Sequence, residues 1–133
     1  MTAENLTELA REAMQHAYAP YSGFSVGAAL LCADGTVYQG CNIENAAYGP
    51  TNCAERTAVF KAVSEGEKRF VAIAVIGAPE GENGKFCAPC GVCRQVMAEF
   101  CDGDFEIIID GNDGATSYTL KELLPESFGK ESL

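Results

Sequence analysis

Two stretches of this chain carry residues that could do chemistry together: Cys53-Ala54-Glu55-Arg56 and Pro89-Cys90-Gly91-Val92-Cys93-Arg94. A single cysteine plus a Cys-x-x-Cys pair can offer a Zn²⁺ ion three thiolate ligands and leave the fourth tetrahedral position open to water. An open position means catalysis, whereas a closed four-cysteine cage means structure. Glu55 follows Cys53 by two residues. At the start of a helix its carboxylate can stand beside a water at the metal without ligating the ion, which is where a proton shuttle belongs.

Neither half of the pattern is informative alone. A lone Cys-x-x-Cys also fits a redox pair or half of a structural zinc site. The combination is specific because each half falls at an expected helix N-terminus, where the macrodipole favours a thiolate and lowers its pKa. Cys87 leaves an alternative open, since Cys87, Cys90 and Cys93 with Cys53 could close a four-cysteine cage. Cys32, Cys41 and Cys101 read as small apolar residues of strands or a helix. Three thiolates and Glu55 concentrate negative charge, which the two helix N-termini and Arg56 can offset. Arg56 would do so by donating hydrogen bonds to the sulfurs, although an exposed Arg56 with no such role is the plain alternative. His16 is the sole histidine and lies far from both motifs, so a surface or packing role suits it better than metal ligation.

The elements that must position these residues follow from periodicity. Apolar residues at three-and-four spacing predict an amphipathic helix over 4–18, ended by Ala19-Pro20-Tyr21-Ser22-Gly23. Strands at 24–32 and 36–42 flank Asp34-Gly35, a hairpin signal. A polar loop over 41–50 leads into Cys53. A largely buried helix, apolar all round, is expected over 53–65 with Gly66 at its C-terminal end. The apolar run 70–76 predicts a central strand covered on both faces. A surface loop over 77–86 precedes a helix from Pro89, in the favoured first-turn position, to about Cys101, with Val92, Val96, Met97 and Phe100 on one side. A strand over 105–110, a turn over 111–114, a strand over 115–119 and a helical turn over 120–124 complete the chain. Strands interleaved with helices and hairpins at both ends imply an α/β fold, a three-layer α/β/α sandwich on a mixed, roughly five-stranded sheet.

Length and composition set the bounds. At 133 residues, 47% hydrophobic and 21% charged, the chain reads as a single catalytic domain over 1–133. No apolar run approaches a membrane span and no secretory leader opens the sequence, so a soluble cytoplasmic protein is expected. Seven cysteines, an odd number and tightly clustered, suit metal ligation in a reducing compartment better than a disulfide framework. A net charge of −10 with nine Lys and Arg argues against a nucleic acid polymer as partner and for a small substrate.

Taken together, Tyr18-Ala-Pro-Tyr21-Ser22, Phe24-x-Val26-Gly27-Ala28-Ala29, Gly40-Cys-Asn42-Ile-Glu44-Asn45-Ala-Ala-Tyr48, Cys53-Ala-Glu55-Arg56-Thr57-Ala58, Pro89-Cys90-x-x-Cys93 and Leu123-Leu-Pro125 followed by Phe128-Gly129 resemble the small homotetrameric zinc-dependent cytidine deaminases over nearly the whole chain. The resemblance implies hydrolysis of cytidine and 2′-deoxycytidine to uridine and deoxyuridine plus ammonia, in pyrimidine salvage, with one zinc per subunit. It implies that Cys53, Cys90 and Cys93 ligate the zinc, and that Glu55 serves as base toward water and then as acid toward N3 and the departing amine. It further implies that Asn42 and Glu44 hold the ribose hydroxyls, Phe24 packs on the base, and Ala54 and Glu55 read the pyrimidine edge. Tyr48 and Phe128 would close the pockets of neighbouring subunits. The segment 80–88 is longer and more polar than the family pattern, and Glu126-Ser127 stand where small residues are expected before Phe128. Two other readings compete: a sibling deaminase acting on a nucleoside-like antibiotic such as blasticidin S, and a zinc-stabilised binding module in which Glu55 is incidental.

Overall fold

The computed structural model of the chain describes residues 1–111 and 113–133. Five strands form one mixed sheet: β1 (Phe24–Cys32), β2 (Val37–Cys41), β3 (Phe70–Pro79), β4 (Glu106–Gly111) and β5 (Gly114–Thr119), in the order β2-β1-β3-β4-β5. Only β3 and β4 run parallel, and the helix α3 (Gly91–Phe100) lies between them in sequence. The other pairs are antiparallel, with hairpins at both ends of the chain's strand set. Asp34 and Gly35 build the first hairpin: Gly35 sits at φ +91°, a conformation glycine adopts without strain, and Asp34 Oδ1 accepts from the Thr36 amide at 3.0 Å. Asn112, within the turn expected over 111–114, lies outside the described residues.

Two apolar layers cover the sheet. The helix α1 (Ala3–Met14) packs Leu6, Ala10 and Met14 on one face against Ala29, Ala74, Ile76 and Ile108. On the other face α2 (Ala54–Ser64) and α3 bury Ala58, Val59, Cys93 and Met97 against Leu30, Ile73, Val75 and Ile107. The three-layer α/β/α arrangement expected from the element order is therefore the one observed. A short α4 (Leu120–Leu123), closed by a Thr119–Glu122 capping box, follows β5.

Two glycines set how closely the helices approach the sheet. A Cβ at Gly27 would lie 1.9 Å from the Ala10 carbonyl oxygen, and one at Gly40 would lie 2.4 Å from the Ala54 carbonyl oxygen. No side chain fits at either place, so α1 and the first turn of α2 rest directly on strand backbone. The second contact fixes the depth of the turn that carries Cys53 and Glu55.

Several boundaries differ from the periodicity reading. The first helix stops at Met14 rather than 18, because Tyr18 forms a bridge with Ile43 and donates its amide to Asn42 while Glu44 donates to Tyr18. His16 consequently sits exposed just beyond the helix. The central strand runs on to Pro79, taking residues 77–79 out of the expected loop, because β1 pairs with it as far as Phe24 opposite Pro79. Helix α2 is not buried all round: Phe60 is exposed while Ala54, Ala58 and Ala62 face the sheet. Pro89 precedes the N-cap, which is Cys90, and so is not in the first turn of α3. Val92 points to solvent, and the buried face of α3 is Cys93 and Met97.

Candidate functional site

The two cysteine motifs meet at two helix N-termini. Cys53 is the N-cap of α2 and Cys90 the N-cap of α3, both in extended backbone conformation and neither using its side chain to cap. An N-cap normally offers an oxygen to the free amides of the first turn. Here the cap side chains are left for another purpose. The Sγ atoms of Cys53, Cys90 and Cys93 all lie within 4.8 Å of one another. Tetrahedral Zn–S bonds of about 2.3 Å require sulfur–sulfur edges of about 3.8 Å, and Cys53 Sγ and Cys90 Sγ are 3.8 Å apart. Donor type, donor number and spacing all fit a zinc ion. Cys87 is not part of this group among the described residues, so the four-cysteine cage is not what the chain builds.

The environment of Cys53 favours its thiolate form. Cys53 is held low, at about 5, by hydrogen bonding with Cys93 and then with Arg56 and Cys90, against the opposing effect of burial. Cys93 moves upward as its partner in that pair. The Arg56 guanidinium donates to Cys53 Sγ at 3.3 Å, and its charge is maintained by Cys53 and Cys93 although burial opposes it. The buried Nε of Arg56 has no partner among the described protein atoms. The exposed-arginine alternative is thus set aside: Arg56 is turned inward onto the ligand set.

Glu55 lies in the first turn of α2, only 4% exposed. Burial pushes its carboxyl up to about 7 and the nearby Cys53 thiolate adds to this, while its own amide and Arg56 oppose it. A carboxyl poised near neutral pH can both accept and release a proton.

Glu55 lines a cavity of about 330 Å³ with Cys53, Ala54, Cys90, Phe24, Val26, Asn42, Glu44 and Cys87. That volume falls in the range of a small-molecule site. Asn42 is buried and bound at both ends of its amide to β1: Nδ2 donates to the Phe24 carbonyl at 2.9 Å and Oδ1 accepts from the Val26 amide at 2.8 Å. One donor and one lone pair of that amide remain for a ligand. Glu44 accepts from the Tyr21 and Ser22 amides at 2.9 and 3.1 Å and from the Ser22 hydroxyl. The hydroxyl first, and then the two amides, hold its carboxyl below the usual range, with slight burial opposing.

Tyr48 and Phe128 do not line this cavity. Tyr48 sits at φ +49°, 75% exposed, beside a neighbouring hollow of about 320 Å³ shared with Tyr21, Ser22, Glu44, Asn45 and Thr51. Phe128 is 61% exposed, its carbonyl accepting from Gln95 Nε2. Three supporting residues were not singled out from sequence. Ser22 orders Glu44. Thr57 Oγ1 contacts the Cys41 and Cys53 carbonyls at 3.0 and 3.1 Å and accepts from Asn52 Nδ2. Arg94 donates to the Pro89 and Leu123 carbonyls at 2.7 and 2.6 Å, tying the approach to Cys90 to α4. Their spacing carries no signal of its own, because each has a partner distant in sequence: the Glu44 carboxylate for Ser22, the Cys41 carbonyl for Thr57 and the Leu123 carbonyl for Arg94.

Replacing a partner that hydrogen-bonds a metal ligand typically weakens the site 10- to 100-fold. Arg56→Gln is therefore expected to lower zinc affinity by about that factor, read by competition with a chromogenic chelator. An unchanged affinity would show that the guanidinium does not support the thiolates.

The family model for the "Cytidine and deoxycytidylate deaminase zinc-binding region" matches residues 1–109. A cytidine deaminase from Sporosarcina psychrophila is 52% identical over 134 residues, covering 100% of this chain and 96% of its own length. One from Halalkalibacterium halodurans is 49% identical, covering 100% and 98%. The crystal structure of cytidine deaminase from Burkholderia pseudomallei superimposes with a TM-score of 0.88 at 46% identity, over 96% of this chain and 100% of that one. With zinc-compatible thiolates at two helix N-termini and relatives of this identity along its whole length, the chain belongs to the zinc-dependent cytidine deaminase family.

Proposed function

We propose that this protein hydrolyses cytidine and 2′-deoxycytidine to the corresponding uridines and ammonia, and that residues 1–133 form the single catalytic domain. The observation that carries this reading is one cavity lined by the buried Glu55 together with Cys53 and Cys90, two members of the three-thiol cluster that Cys93 completes from behind. Cys53, Cys90 and Cys93 would hold the zinc. Zinc at such a site acts as a Lewis acid that makes water a competent nucleophile near neutral pH.

The remaining work falls to the chain's own groups. Glu55 removes a proton from the attacking water and delivers protons to N3 and then to the departing amine, a double role that suits its near-neutral pKa. The free amide at the start of α2, on Ala54, donates toward O2, since first-turn amides lack helical partners. Phe24 packs on the base. Asn42 uses its spare donor and lone pair, and Glu44 its ionised carboxylate, to hold the ribose hydroxyls. The acidic chain, with only nine Lys and Arg, offers a polynucleotide little. Among the described residues no helix is long and apolar enough to cross a membrane. Pyrimidine salvage in the cytoplasm is the setting that fits this chemistry. Replacing Glu55 with Gln is expected to leave zinc content and folding intact. Cytidine turnover, followed by its ultraviolet absorbance, should fall about 10²- to 10⁴-fold or more. Undiminished turnover would reject the assignment of Glu55.

The exposure of Tyr48 and Phe128, large aromatic side chains outside their own pocket, supports a homotetramer in which each covers a neighbour's cavity. Sedimentation should find four chains together at assay concentrations. A fully active monomer would rule out the shared pocket.

A further inference from the structure

Behind the cavity wall lies a residue that does not line it. Gly77 of β3 pairs with Val26 of β1 on one side, and on the other its carbonyl accepts from the Lys85 amide at 2.7 Å. This second pairing folds the 80–88 segment back onto the sheet and delivers Cys87 to the pocket. A Cβ at Gly77 would lie 2.7 Å from Phe24 Cε1 and 3.0 Å from both Cβ and Sγ of Cys87. A bare glycine is therefore what lets the Phe24 ring and the Cys87 side chain lean back together against β3. Any side chain there would push both toward the open cavity.

The direction of that wall follows from the substrate placement proposed above, on which this inference rests. Glu55 and Ala54 take the N3 and O2 edge of the pyrimidine, and Asn42 and Glu44 take the sugar. The ring edge left over is C5 and C6, and the lining residues left over are Ser22, Val26, Thr51, Asn52, Cys87 and Ala88, of which Cys87 is the one whose side chain rests against Gly77. Cys87 is not among the clustered thiols. Its sulfur is one heavy atom of wall, the size of a methyl group. We infer that the contact of Gly77 with Phe24 and Cys87 sets the width of the pocket along the C5 edge of the base, and thereby which C5 substituents the enzyme accepts. Gly77 acts as a positioning residue, and Cys87 forms the wall itself.

The test compares 5-methylcytidine with cytidine on the same preparation of zinc-loaded full-length protein. The ratio of their kcat/KM values does not depend on the active fraction, so partial misfolding cannot mimic the effect. Cys87→Ala removes the sulfur and should raise the ratio about tenfold, the discrimination that one methylene is worth in a fitted pocket. Gly77→Ala drives the same wall inward and should lower it by about the same factor. Opposite shifts support the inference. A ratio within twofold of wild type in both variants, or shifts in the same direction, overturns it. Should Gly77→Ala yield no soluble protein, Cys87→Ala decides alone, because it only removes an atom. Wild-type protein that fails to turn over cytidine removes the proposed function and this inference with it. Cytidine turnover with an unmoved ratio removes the inference alone.

Discussion

Three sulfurs within 4.8 Å of one another, two of them on different helices, make a cluster that is unstable as three thiolates unless positive charge meets it. Each neighbouring feature relieves that repulsion. The N-termini of α2 and α3 both point at the cluster, each contributing partial positive charge through free amides. Arg56 adds a full charge through a 3.3 Å contact with Cys53 Sγ. A divalent ion supplies the rest, so metal binding and the local fold are coupled. Glu55 stays protonatable near neutral pH chiefly because it is buried, with the Cys53 thiolate adding to the effect while its own amide and Arg56 oppose it.

Holding two helix ends together requires the sheet to be thin under them. Gly40 lets the first turn of α2 rest on β2, and Gly27 does the same for α1 on the opposite face. Between these layers the parallel β3–β4 pair sends the chain through the 80–88 segment into α3, which brings Cys90 and Cys93 back beside Cys53. Arg11 reinforces that return, donating to the Asn83 carbonyl and to Asp110, both at 2.7 Å. The nearly buried Asp110 thus has its charge partner, and the long segment has an anchor on α1. Phe86 adds an edge-to-face contact with Tyr118, centroids 6.4 Å apart.

Much of this was legible before any coordinates. Cys53, Cys90 and Cys93 stand out because metal ligation needs particular donors at particular spacing, and β1, β3 and β4 stand out because buried β segments must be apolar, whereas the more exposed β2 and β5 follow from the turns beside them. The rest depended on contacts between distant residues. Nothing local says that α1 should stop at Met14; the Tyr18–Ile43 pairing competes for its last turn. Val92 and Phe60 are apolar yet exposed, since hydrophobicity does not reveal which helix face meets the sheet. Asn42 reads as a polar loop residue, yet it is a tie holding β1 in register beside the cavity. Gly77 looks like an ordinary loop glycine, and only the proximity of Phe24 and Cys87 shows why a side chain is missing there.

The whole arrangement turns on zinc held by three thiolates being required for deamination. The most direct measurement strips the protein with dipicolinate and follows metal content per chain alongside the loss of cytidine absorbance. Activity should fall in proportion to zinc removed and return when one equivalent per chain is restored. Metal-stripped protein that deaminates cytidine undiminished would contradict the role given to Cys53, Cys90 and Cys93.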